Sequence, residues 1–195
     1  MSKASAYETK LHAGMSLEGN THSVKIPDYN HETVTGLNEE FREQYGSHET
    51  DHVTAKRIVD FVDEKMDYRN PAEMYDTETG EQLDDEVPLE YAIEHEVGRC
   101  KEQAAVAQML MQMEGIESRY VKAIWDNNDP EDERNYDKHA FIKAETEEGV
   151  YHADPTLGDF QPYEDFVEPR TDLNFREVEQ ELEIEDGQEA ALGRL

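Results

Sequence analysis

Gly98-Arg99-Cys100-Lys101-Glu102-Gln103-Ala104-Ala105-Val106-Ala107 sets the chain's only cysteine between a glycine turn and an apolar run. The run continues through Met109, Leu110, Met111 and Met113 to Gly115. Apolar residues lie on nearly every side of it, which predicts a buried central helix ended by the glycine. Cys100 falls in the first turn of that helix, where unpaired backbone N–H groups and the positive end of the dipole favour thiolate over thiol. Arg99 and Lys101 add positive charge in a chain where it is scarce. A lone cysteine is more often a small buried hydrophobe than a nucleophile, so any chemistry here depends on what the rest of the chain brings to the sulfur.

The chain has 48 acidic residues against 18 basic, a net charge of −30. Such a surface repels nucleic acid and anionic membranes, and neither is expected as a partner. The acidic residues are spread throughout rather than gathered in a tail. That is the pattern of a protein from a salt-rich cytoplasm, where ionic strength screens the self-repulsion. The 195 residues suit one domain with a sizeable core. One cysteine excludes an internal disulfide, and the stretch from Met1 to Tyr7 has no apolar region of the kind that begins a secretory signal. No stretch reaches the length of a membrane span. A soluble, cytoplasmic protein is the expectation.

Residues 1–46 are polar, with scattered Gly14, Gly19, Pro27 and Gly36, and read as an N-terminal arm or lead-in. A domain over 47–195 follows, with a core at 52–165 and a C-terminal extension at 166–195. Ala55, Ile58, Val59, Val62 and Met66 recur at helical spacing after Thr50 or Asp51 as N-cap, so a helix is expected over about 52–67. Residues 70–85 read as an acidic loop. Pro88 then opens a short helix through Leu89, Tyr91, Ala92 and Ile93 that delivers the chain to Gly98. Beyond Gly115, residues 118–125 alternate and are rich in β-formers. Two further strands, 138–144 and 150–154, are joined as a hairpin through Thr146-Glu147-Glu148-Gly149. Residues 178–184 fit a strand, although Leu173, Val178 and Leu182 could also line a helix.

If that hairpin pairs Glu145 with Val150, Phe141 stands opposite Asp154, and His139 becomes the diagonal neighbour of Asp154 on the same face. A slip of one residue would separate them. With the Cys100 helix packed against this end of the sheet, cysteine, histidine and aspartate supply a soft nucleophile, a group titrating near neutrality and an acceptor to orient it.

These segments, taken in order, resemble the transglutaminase-like superfamily. The resemblance is carried by Gly98-Arg99-Cys100, Gly115-Ile116-Glu117-Ser118-Arg119-Tyr120-Val121, Lys138-His139-Ala140-Phe141 and Tyr151-His152-Ala153-Asp154-Pro155-Thr156, and covers about residues 52–165. It implies a papain-like α+β fold with a cysteine-bearing helix on an antiparallel sheet, and Cys100, His139 and Asp154 as a catalytic triad. It implies a thiol enzyme that cleaves or transfers the acyl group of a peptide or protein amide through a thioester, with no cofactor. Cross-linking members use a tryptophan upstream of the cysteine. The only tryptophan here, Trp125, lies downstream, which favours a protease or deamidase. The backbone N–H of Cys100 is the expected oxyanion donor, with Tyr68 and Gln103 as candidates for the second, and Arg119 is expected in a structural ion pair. The alternative on the same fold is a catalytically inactive structural or binding module, with an assembly partner for the N-terminal arm.

Two other patterns compete. His48-Glu49-Thr50-Asp51-His52 spells H-E-x-x-H, which on a helix would set His48 and His52 as zinc ligands with Glu49 as general base. It stands at a helix start with no apolar flank upstream, and a solvated helix entrance is the plainer reading. Asp126-Asn127-Asn128-Asp129-Pro130-Glu131-Asp132-Glu133 offers oxygen ligands for calcium but lacks the EF-hand order and its glycine, so a hydrated loop is expected.

Overall fold

A computed structural model describes residues 25–26, 29, 31–46, 50–69, 87, 89–126, 136–173, 175–180 and 183–184. The expected loop at 70–85 and nearly all of the calcium-loop candidate lie outside these residues, as do His48 and Glu49 and the first 24 positions.

The cysteine helix forms as its sequence predicts. It runs Cys100–Met113 (α4), and Ala104 through Met111 are all buried. Ile116 N donates to Met111 O and Gly115 N to Gln112 O, with Gly115 at φ 82°, so the helix ends in a paired glycine cap. Among the helices that precede it and pack into the same core are α2 (Asp51–Lys65), capped by the Thr50 side chain on Val53 N, and α3 (Leu89–Glu94). Ile58, Val59 and Val62 of α2 meet Ala104, Val106 and Leu110 of α4 in one apolar cluster. Each fully buried Leu, Ile, Val or Met contributes roughly 1.5–3 kcal/mol.

The sheet has five antiparallel strands in the order β7-β6-β5-β4-β8. They are β4 (Ser118–Asp126), β5 (Tyr136–Thr146), β6 (Gly149–Asp154), β7 (Asp159–Pro162) and β8 (Arg176–Gln180). Residues 178–180 are thus strand, as the alternation favoured. The sheet's two faces have separate cores. Tyr120, Ala140, Ile142, Ala144 and Ala153 pack into the helix cluster. Val121, Ala123 and Phe141 form a second cluster with Phe166 of α5 (Tyr163–Val167), joined by Trp125, Tyr163, Val167 and Phe175. A 3-10 segment, Glu168–Leu173, follows α5 and leads to β8. The C-terminal extension is therefore integral as far as residue 180, because it supplies a strand and the cover for one face. Two short parallel pairs complete the fold: β1 (Lys25–Ile26) with β9 (Glu183–Ile184), and β2 (Asp67–Tyr68) with β3 (Val97–Gly98).

One expectation is corrected. The lead-in ends well before residue 46, because Glu32–Tyr45 is a 14-residue helix, α1, that buries Val34, Leu37 and Phe41. Those three fall at i, i+3 and i+7, and Gly36 and Asn38 between them obscure the period. Of the H-E-x-x-H pattern only Thr50, Asp51 and His52 are described: Thr50 is an extended N-cap (φ −145°, ψ 158°), and α2 starts at Asp51. His52 packs edge-on against Tyr151 and Phe160, with its Nδ1 3.6 Å from Glu148.

If α1 belongs to the core, Phe41→Ala is expected to lower stability by about 3 kcal/mol, since a fully buried phenylalanine stacked edge-on with Phe61 is lost. Urea unfolding measures this, and an unchanged midpoint would return residues 32–45 to the status of an arm.

Candidate active site

The turn before Cys100 is shaped from two sides. β2 runs parallel to β3 with Tyr68 opposite Gly98, and Arg69 N donates to Gly98 O. A Cβ at position 98 would come within 3.0 Å of Met66 Cε and 3.1 Å of Glu102 Cβ, so a larger residue would have to push those neighbours aside. Glu102, 1% exposed, accepts from Arg99 N and from the Arg99 guanidinium, and lies 3.4 Å from Lys101 Nζ. Arg99 and Lys101, expected to add positive charge to the thiol's surroundings, thus neutralise a buried carboxylate that closes the helix start.

Cys100 is the first residue of α4 and half-buried. Helix geometry leaves first-turn N–H groups without intrahelical acceptors. On the facing sheet, the β5–β6 hairpin takes the expected register: Glu145 pairs with Val150 and Ile142 with Ala153. His139 lies toward the start of β5, beyond the last of these pairs, and Asp154 ends β6. The His139 Nε2 is 2.5 Å from Asp154 Oδ2, and Cys100 is near enough to the ring to act on its charge. Asp154 is wholly buried, and its other oxygen accepts from Thr156 N at 3.0 Å.

Burial works against a charge on His139. The hydrogen bonds to Asp154 and Cys100 and the negative charges behind them outweigh it, and push the ring's pKa up to about 10. An imidazolium held at neutral pH beside a thiol and a carboxylate can act as a proton source.

The structure separates the two oxyanion candidates. Gln103 is buried and its amide nitrogen already donates to Met66 O at 2.7 Å, so it holds the chain of β2 rather than facing a substrate. Tyr68 is 56% exposed beside the cysteine turn. Its hydroxyl is held protonated by partial burial and by the negative charge of Cys100 and Glu102, against the pull of Arg99, so it keeps an O–H to donate. Arg119 makes the expected ion pair, with Glu117 at 3.3 Å, on the surface.

Other residues reach the site without a signal in the local sequence. Trp125 meets the His139 ring edge-on at 6.4 Å, and Arg170 lies over the Trp125 indole. Tyr120, buried and within electrostatic reach of Cys100, has a hydroxyl without a hydrogen-bond partner among the described residues. Each depends on which strand lies beside which, and only the alternation that buries Tyr120 was readable. Among the described residues no group of three or more His, Cys, Asp or Glu is arranged to hold a metal ion, and no helix is long and apolar enough to cross a membrane.

The chain resembles a candidate cysteine protease from Cytophaga hutchinsonii at 16% identity and a TM-score of 0.47, over 69% of this chain and 43% of that one. Legionella pneumophila LapG matches at 15% identity and a TM-score of 0.44, over 71% and 67% of the two chains. A TGase matches at 15% identity and 0.44, over 64% and 30%. The chain thus spans less than half the length of the Cytophaga protein. No curated protein matches the sequence. The sequence profile of the Transglutaminase-like superfamily matches residues 39–155, from within α1 to the residue after Asp154. With that match covering more than half its length, the chain belongs to the transglutaminase-like superfamily.

Proposed function

We propose that this protein is a cysteine-dependent amide hydrolase or acyltransferase acting on a peptide or protein, with Cys100 as nucleophile, His139 as proton carrier and Asp154 as its orienter. One observation carries the reading: a single imidazole bonded at 2.5 Å to a buried carboxylate and raised in pKa by a nearby half-buried thiol at a helix N-terminus.

The Cys100 sulfur attacks the amide carbonyl carbon and forms a C–S bond, and the carbonyl electron pair moves onto oxygen. First-turn N–H groups of α4, with the Tyr68 hydroxyl from the β2 side, stabilise that oxyanion. The C–N bond breaks as His139 gives its proton to the leaving nitrogen, which leaves a thioester and a neutral ring. Water then surrenders a proton to His139 and attacks the thioester, and the sulfur departs with the bonding pair. An amine in place of water would give acyl transfer. Hydrolysis is the favoured outcome, because Trp125 reaches His139 from the strand after the cysteine, where cross-linking members place a tryptophan before it.

Two expected outcomes test the proposal. Iodoacetamide should alkylate Cys100 at pH 6 at least tenfold faster than a free thiol, and His139→Ala should abolish the difference; labelling like an ordinary thiol would leave a binding module. The second is a stability measurement. The His139 pKa rises on folding from 6.5 to about 10, so its contribution is complete below pH 6.5 and disappears as pH climbs through 10. The stability gap between the parent and His139→Gln is expected to narrow by more than about 1 kcal/mol between pH 6 and pH 10 in urea unfolding. A gap independent of pH would mean the ring is not held charged.

A further inference from the structure

His152 stands on β6 two residues before Asp154 and takes no part in the chemistry above. It is wholly buried, with its ring stacked on Phe166 at 3.7 Å and 9° and lying 4.5 Å from Phe141. Its Nδ1 is 3.4 Å from Asp159 Oδ2 and its Nε2 is 3.9 Å from Asp154 Oδ2. Neither nitrogen makes a hydrogen bond among the described residues. A phenyl ring would fill the space between Phe141 and Phe166 without leaving two polar atoms unmet, so packing alone does not select histidine here.

What the position does hold is the gap between two carboxylates. The β6–β7 pairing sets Asp154 opposite Asp159, and Asp63 of α2 adds its charge from the helix side. Carboxylates brought together tend to share a proton, and a protonated Asp154 would no longer meet His139 as an anion. The groups facing His152 are Asp154 on its own strand, Asp159 on β7, His139 on β5 and Arg170 on the 3-10 segment. Burial, aided by the two cationic groups, keeps the ring uncharged down to about pH 4 against the pull of both carboxylates. A neutral dipole lies between them.

We propose that His152 is a positioning residue: its imidazole stands between Asp154 and Asp159 and shields one carboxylate from the other, so that Asp154 remains a charged acceptor for His139. The inference rests on the Cys100–His139–Asp154 reading.

The test uses the full chain, His152→Phe, and His152→Phe combined with Asp159→Asn. Each is alkylated with iodoacetamide from pH 4 to 9, and its Tm is recorded. His152→Phe is expected to melt no lower than the parent, yet the acid limb of its alkylation profile should move up by about one pH unit. Removing the second carboxylate in the double variant should return the limb to the parent position. A limb unmoved in His152→Phe, or moved equally in the double variant, overturns the proposal. If His152→Phe does not fold, His152→Leu asks the same question. In the unaltered protein, the ring ¹⁵N shifts of His152 should show a neutral imidazole at pH 6, and a charged ring overturns the proposal without any substitution. If the parent Cys100 reacts only as an ordinary thiol, it is the triad reading that fails.

Discussion

The pairing of β5 with β6 fixes whether His139 and Asp154 can meet at all. A two-residue turn, Glu147-Glu148, joins Thr146 to Gly149 as the first rung, and every later rung follows from it. Side chains alternate between faces, so one step of slippage would put the imidazole and the carboxylate on opposite sides. The turn is held from outside. Glu147 accepts from His52 N, Glu148 lies by the His52 ring, and that ring wedges edge-on against Tyr151 and Phe160. The histidine that completes an apparent zinc motif is thus a clamp between the first turn of α2 and the hairpin tip.

A net charge of −30 makes the disposition of each cation near the site informative. Arg99 and Lys101 pair with the buried Glu102. Lys143 is bound by Glu177 and Glu179 of β8 and lies over the Tyr163 ring. Arg170 rests on the Phe166 and Trp125 rings and donates to Phe166 O. Each anchors a segment of the scaffold. The positive charge that both Cys100 and Asp154 favour is that of His139, whose pKa those two neighbours raise. Charge at the site is therefore conditional on its own geometry, which is what a proton carrier requires.

How much of this could be read from the chain alone follows from how local each determinant is. α2 and α4 announce themselves through apolar spacing, a threonine cap and a terminal glycine, all within one segment. The hairpin does so through period-two alternation and a four-residue turn. That His139 and Asp154 meet was legible because the hairpin register follows from the turn. α1 was not legible, since Gly36 and Asn38 interrupt its apolar stripe and its burial depends on distant partners such as Phe61. The cover from Phe166 was equally hidden, because a five-residue helix has no period to detect. Gln103 stood beside Tyr68 as a candidate for the second oxyanion donor. Its amide is instead claimed by Met66 O, an acceptor 37 residues away that no local pattern reveals.

The polar atoms left unmet beneath the site bear on what the fold is built for. Gln103 Oε1, the Tyr120 hydroxyl and both His152 nitrogens are buried without partners among the described residues. A buried orphan of this kind costs roughly 1–3 kcal/mol, and an apolar residue of similar shape would remove that cost. The apolar packing of α4 against α2 and the sheet is extensive enough to offset it. Two of these residues also do something an apolar one could not. Gln103 holds the Met66 carbonyl, two residues before Tyr68, and so fixes where β2 passes the cysteine turn. His152 separates two carboxylates that the sheet register would otherwise leave face to face. A chain shaped only for stability would have filled these positions with leucine and phenylalanine. Retaining polar groups there trades stability for a fixed arrangement of sulfur, imidazole and carboxylate.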